Sequence, residues 1–122
     1  MWTDVDIEKL FRNYYYNKSI LELSEPSVTS RLQLDKVSGG SIESKVEMIA
    51  VRRAQSEIEL KMVNACLIAM NKDEKEFINL RYFEDYDMKI VAGCIRCCRT
   101  DAYQIRRKVL TKSKKLLNIT TT

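Results

Sequence analysis

The chain has 122 residues, 45% of them hydrophobic and 31% charged, with three glycines, one proline and no histidine. That length suits one domain, or one small domain with a helical extension. So little glycine and proline excludes a turn-rich β-sandwich or a glycine-rich nucleotide fold, and a mostly helical chain is expected.

The formal net charge of +4 is unevenly placed: residues 1–85 carry 12 Lys and Arg against 15 Asp and Glu, residues 86–122 carry 9 against 2. A basic third joined to a mildly acidic remainder fits a polyanion-binding module on a scaffold. No apolar run of about 18 residues occurs and the N-terminus lacks a signal-peptide pattern, so neither a membrane span nor secretion is expected. Four cysteines crowded to one side of the chain do not resemble a secreted disulfide framework, which points to a reducing cytoplasm.

Residues 4–23 (DVDIEKLFRNYYYNKSILEL) place Ile7, Leu10, Phe11 and Tyr14 at spacings of three and four, as one buried helical face requires. Tyr14, Tyr15 and Tyr16 cannot all share that face, so at least one is expected to be exposed or to pack on another subunit. Residues 24–41 hold the proline and the pair Gly39–Gly40, and read as a long flexible linker. A longer helix follows over 42–70, with Ser41 as its N-cap and Glu43 and Glu47 near its positive end. Its alternating four-three stripe of Ile42, Val46, Ile49, Leu60, Val63, Leu67 and Met70 is interrupted by Arg53 and Ser56. Two uses fit that stripe: an oligomerisation seam built on Val46, Ile49, Leu60, Val63 and Leu67, or an internal face against the first helix.

Asn71 or Asp73 caps the next helix, 73–84, whose apolar side is Phe77, Leu80 and Phe83 with Ile78 and Tyr82 alongside, and which Glu84–Asp85 should close. Asp87 caps a short helix over 87–95 with Met88, Val91, Ala92 and Ile95 inward. Residues 96–98 are the expected turn. A last helix, 99–117, points Ala102, Ile105, Val109, Leu110, Leu116 and Leu117 inward, and residues 118–122 are expected to fray.

Cys94, Cys97 and Cys98 do not make a zinc site: one Cys-x2-Cys pair stands without histidine, and Cys66 would have to be a distant fourth ligand. Nothing resembles the βαβ setting of a redox pair. Cys94 or Cys97 is expected as a small core residue, and Cys98, at the start of the last helix, as a moderately reactive thiol. With no histidine, no paired carboxylates about a cleft and no glycine-rich phosphate loop, no catalytic activity, cofactor or metal is expected.

Three consecutive helices joined by tight turns instead match a helix-turn-helix module with a supporting first helix. The outer face of the last helix offers Arg99, Thr100, Asp101, Tyr103, Gln104, Arg107 and Lys108 to double-stranded DNA. Arg99 and Thr100 lie at the end that enters the major groove; Gln104 pairs with adenine, and Arg99 or Arg107 with guanine. Lys89, Arg96, Arg106, Lys112, Lys114 and Lys115 are the expected phosphate contacts.

The stretch FINLRYFEDYDMKIVAGCIRCCRTDAYQIRRKVLTKSKKLL resembles the C-terminal region of sigma-region-4-like regulators, and especially phage late-gene activators of the RinA and ArpU type. Leu80–Glu84 match the run before the short helix, and Tyr103 to Lys108 match the aromatic, isoleucine and basic cluster of the reading helix. The likeness covers roughly residues 71–117. Three positions depart from it. Arg96 stands where a turn glycine is common and Cys98 where a capping serine is usual. Asp101 places a carboxylate near the DNA-facing start of the last helix, to accept from cytosine N4 or repel phosphate.

The resulting expectation is an all-helical, cytoplasmic DNA-binding regulator of a phage or prophage in a bacterial host. Residues 71–122 would form the DNA-binding domain. Residues 1–70 would be a scaffold giving oligomerisation, with a dimer favoured, or contact with RNA polymerase. Two alternatives are a small terminase subunit and a helical module that engages polymerase or a sigma factor.

Overall fold

A computed structural model describes residues 1–24, 42–95 and 99–120, and these form six helices with no strand among the described residues. They are α1 (Asp4–Arg12), α2 (Tyr14–Leu23), α3 (Ile42–Ile68), α4 (Lys72–Ile78), α5 (Met88–Cys94) and α6 (Arg99–Thr120). The linker expected at 24–41 lies, past Ser24, outside the described residues, as do the Ser41 cap and the 96–98 turn.

Local signals set three of the helix starts. Thr3 and Asp6 form a reciprocal capping box on α1, the Asp6 amide donating to the Thr3 hydroxyl and the Thr3 amide to the Asp6 carboxylate. Asn71 and Glu74 repeat the device on α4, with both bonds at 2.9 Å. Asp87 caps α5 by accepting from the Ile90 amide at 2.9 Å.

The helix expected over 4–23 is broken at Asn13 (φ −82°, ψ 3°), which separates α1 from α2. The bend lets the two helices serve different neighbours. α1 sends Ile7, Leu10 and Phe11 into the core, whereas α2 lies along α3. Among the three tyrosines, Tyr14 stacks on Phe83 at 4.4 Å, while Tyr15 and Tyr16 stay about half exposed. Arg52 of α3 covers the Tyr16 ring at 5.3 Å.

α4 runs directly into one π-helical turn, Asn79–Phe83, closed by the Glu84 amide donating to the Asn79 carbonyl. The wider turn rotates the apolar side from the expected Phe77–Leu80–Phe83 line. Phe77, Ile78 and Tyr82 are the buried residues, and Leu80 and Phe83 are only partly covered. Tyr82 then stacks on Phe11 at 5.4 Å. Asp85 follows with a left-handed backbone (φ 58°), a conformation aspartate tolerates better than most residues. The Arg81 guanidinium closes this turn on the Tyr86 carbonyl at 2.9 Å.

One core joins the parts on either side of residue 70. Ile7, Leu10 and Phe11 of α1 and Val63 and Cys66 of α3 belong to the same buried cluster as Phe77, Tyr82, Val91, Val109 and Leu117. No gap between two cores falls at the boundary expected there. Among the described cysteines Cys66 is buried, and burial pushes its thiol pKa up; of the two expected alternatives for a core cysteine, Cys94 is exposed because Met88, Val91 and Ala92 fill the inner side of α5. Cys97 and Cys98 lie outside the described residues.

The stripe on α3 also has an internal use. Val63 is fully buried within the chain and cannot meet another subunit, while Ile49, Leu60 and Leu67 are half covered and only Val46 is 40% exposed. The two interruptions explain the packing. Arg53 donates to the Leu21 carbonyl at 2.7 Å and the Ser24 hydroxyl at 3.1 Å, closing the C-terminal end of α2. Ser56 donates to Asn17 Oδ1 at 3.1 Å, a buried polar pair between α2 and α3. The seam therefore docks α2 through Arg53 and Ser56, and of the expected oligomerisation residues Val63 and Leu67 belong to the chain's own core packing.

Glu74, only 2% exposed, couples α4 to α6: its Oε1 accepts from the Asn71 amide and from Lys112 Nζ at 2.6 Å. Burial raises the carboxyl pKa, but the Asn71 amide and the Lys112 ammonium outweigh it and hold the group below its ordinary 4.5. A carboxylate depressed in the folded state stabilises above that ordinary value, and the contribution is lost as pH falls below it. The melting-temperature deficit of Glu74→Gln should therefore be full at neutral pH and shrink steadily on acidification below 4.5. A deficit independent of pH would contradict this.

Candidate nucleic-acid interface

α6 is amphipathic over 22 residues. Ala102, Val109, Leu110, Ser113 and Leu117 face the core, with Ile105 and Leu116 half buried beside them. The helix runs on to Thr120, past the fraying expected at 118, because Asn118 accepts the Trp2 amide at 2.8 Å and the Thr120 hydroxyl donates back to the Leu116 and Leu117 carbonyls.

Opposite the core, Thr100, Gln104, Arg107 and Lys108 are exposed and fall on one strip, which Thr111 and Lys115 extend. Thr111 was missing from the sequence expectation; its spacing of four from Arg107 and seven from Gln104 is the signal that places it there. Asp101 is exposed at one flank of this strip, and Tyr103, 46% exposed, at the other. Arg99 opens the helix, but its side chain lies outside the description, and Arg96 lies wholly outside the described residues. Lys89 is exposed on α5.

Three of the expected phosphate contacts are engaged inside the chain. Arg106 donates to Glu8 Oε1 at 3.0 Å, Lys112 pairs with Glu74 at 2.6 Å, and Lys114 pairs with Asp4 at 2.7 Å. Arg106 lies a third of a turn from Arg107, on the side where α1 crosses the helix, so its guanidinium meets Glu8 instead of solvent. The same Glu8 carboxylate accepts the Tyr82 hydroxyl at 2.9 Å. Burial, with the adjacent Glu8 charge, pushes the Tyr82 phenol well above its ordinary pKa. Burial disfavours the Arg106 cation, but Glu8 more than compensates and its pKa rises. Arg106 is thus held as a charged structural group.

Arg107, Lys108 and Lys115 have no carboxylate within ion-pair distance among the described residues. A 170 Å³ recess beside α1 is lined by Tyr103, Arg107, Thr111 and Lys114, with Asp4 and Arg106 at its walls. Since Arg106 and Lys114 are already matched by Glu8 and Asp4, Arg107 is the cation with charge to offer there. No cluster of three or more metal-ligating side chains occurs among the described residues. No described helix is long and apolar enough to cross a membrane. The strip is therefore equipped for hydrogen bonding and anion contact.

No family model matches the chain, and no curated protein or solved structure matches it.

The split between outward and inward cations has a direct consequence for stability. Lys112→Ala strips Glu74 of its ammonium partner and should lower unfolding free energy by about 1–3 kcal/mol. Arg107→Ala removes an exposed side chain and should stay within about 0.5 kcal/mol of wild type. Urea denaturation of the two variants decides the point; equal losses would contradict the division.

Proposed function

We propose that the protein is a sequence-specific DNA-binding regulator in which α5, the four-residue connection and α6 form a helix-turn-helix, with α4 as the supporting helix. The observation that carries this reading is the exposed strip beginning at the N-terminal turn of α6: Thr100, Gln104, Arg107 and Lys108, hydrogen-bonding groups and cations without partners among the described residues. A helix entering the major groove meets base edges with its first turns. Gln104 offers the bidentate amide that suits adenine, and Arg107 the fork that suits guanine. Lys108 and Lys115 supply phosphate contacts, assisted by Lys89 from α5. Asp101 accepts from cytosine N4 at one edge of the site and disfavours phosphate there.

The resemblance of residues 71–117 to late-gene activators of phages extends this reading to a regulator that recruits RNA polymerase at a promoter-proximal site. The chemistry is recognition, with no bond made or broken. The N-terminal segment braces α6, Glu8 binding Arg106, Asp4 binding Lys114 and Trp2 binding Asn118.

Selection of bound fragments from DNA of the surrounding genome, at physiological and raised salt, tests the proposal. Enrichment of one intergenic sequence that survives raised salt is expected. Arg107→Ala or Gln104→Ala should cost about 1–3 kcal/mol and relax preference at a single base pair, whereas Lys115→Ala should weaken all sequences alike. No enrichment at either salt, or uniform losses from all three substitutions, would overturn it.

A further inference from the structure

α3 carries a second apolar stripe, on the side turned away from α2. Met48, Val51 and Ile58 are 70%, 68% and 54% exposed, an unusual cost for large side chains on one helix. Together with Gln55, Ala65 and Met62, the last half-buried against the chain's own core, they stand at successive spacings of three, four, three, four and three. Single exposed apolar residues are ordinary; a contiguous row with the coiled-coil period is not. The row follows a helix of 27 residues, about 40 Å long. α2, with 10 residues, covers only part of its opposite side.

We infer that this outer stripe is the contact with a second copy of the chain, the two α3 helices lying antiparallel about a twofold axis between Gln55 and Ile58. The antiparallel arrangement follows from the residues. A parallel pair would stack Val51 on Val51 and Ile58 on Ile58 at the positions where two-stranded coils prefer leucine. The antiparallel pair sets bulky Met48 against small Ala65, and Val51 against Met62. It also brings the two Gln55 amides into adjacent layers near the axis, where they reach each other. Charge agrees: at the flank of the seam Arg52 faces Glu59 of the other copy, twice by symmetry, with no like charges opposed. Among the described residues Arg52, Gln55 and Glu59 make no hydrogen bond or ion pair that the contact would break; Arg52 lies over the Tyr16 ring. The inference stands apart from the DNA-binding reading, because it concerns α3 and not α6.

Sedimentation velocity of the full chain without DNA, over a broad dilution series, reads the oligomeric state directly. A dimer is expected. Val51→Lys with Ile58→Lys should reduce its mass to that of one chain while leaving helicity and melting temperature of the monomer intact, since both side chains are solvent-exposed. Arg52→Glu alone and Glu59→Arg alone should each loosen the dimer at least several-fold, and the double exchange should restore it. A monomer at every concentration, a dimer indifferent to the two lysines, or charge exchange that fails to restore would each overturn the inference. Since the measurement contains no nucleic acid, a failure here leaves the function of α6 to be judged by its own experiment.

Discussion

The carboxylate of Glu8 bonds at once to two parts of the chain far from it in sequence. From α1 it accepts the Tyr82 hydroxyl, at the π turn after α4, and the Arg106 guanidinium, midway along α6. Hydrogen bonds to a charged group contribute about 1.5–3 kcal/mol when partly removed from water, and this carboxylate has two. Asp4 and Lys114, then Trp2 and Asn118, continue the contacts with α6 numbers rising as N-terminal numbers fall, so the N-terminal segment runs antiparallel to α6. A helix clamped along its length in this way holds its exposed strip in one orientation, as base recognition requires.

The clamp also divides the positive charge of the C-terminal third by task. Arg106, Lys112 and Lys114 neutralise acids of the N-terminal two thirds, namely Glu8, Glu74 and Asp4. The acidic balance of residues 1–85 and the basic balance of 86–122 are thus partly complementary halves of one fold. What remains for a polyanion among the described side chains of this third is narrower than composition suggests: Arg107, Lys108 and Lys115 on α6, with Lys89 on α5. A smaller set of outward cations, placed beside Thr100 and Gln104, favours reading over indiscriminate charge binding.

Much of the helical layout was legible because its causes are local. Asn71 and Asp87 announce their helices, and Ala102, Val109 and Leu117 recur at the helical period. Other features depend on partners distant in sequence. Arg106 and Arg107 are adjacent and chemically alike, and only Glu8, 98 residues away, separates their roles. The π turn at Asn79–Phe83 exists to seat Tyr82 on Phe11 and Phe83 on Tyr14, which no local propensity signals. On α3 the polar residues of the stripe, Arg53 and Ser56, looked like defects in an oligomer seam and are its attachments to α2. A helix with apolar residues on two sides gives periodicity no means of choosing between them.

The central claim is that the outer strip of α6 meets DNA while the cations behind it hold the fold. Backbone and side-chain NMR shifts during titration with a selected duplex test it most directly. The account predicts large changes at Thr100, Gln104, Arg107, Lys108 and Thr111, with the Arg106 guanidinium and the Lys112 ammonium keeping their protein partners. Changes confined to other helices, or release of Arg106 from Glu8 on binding, would contradict it.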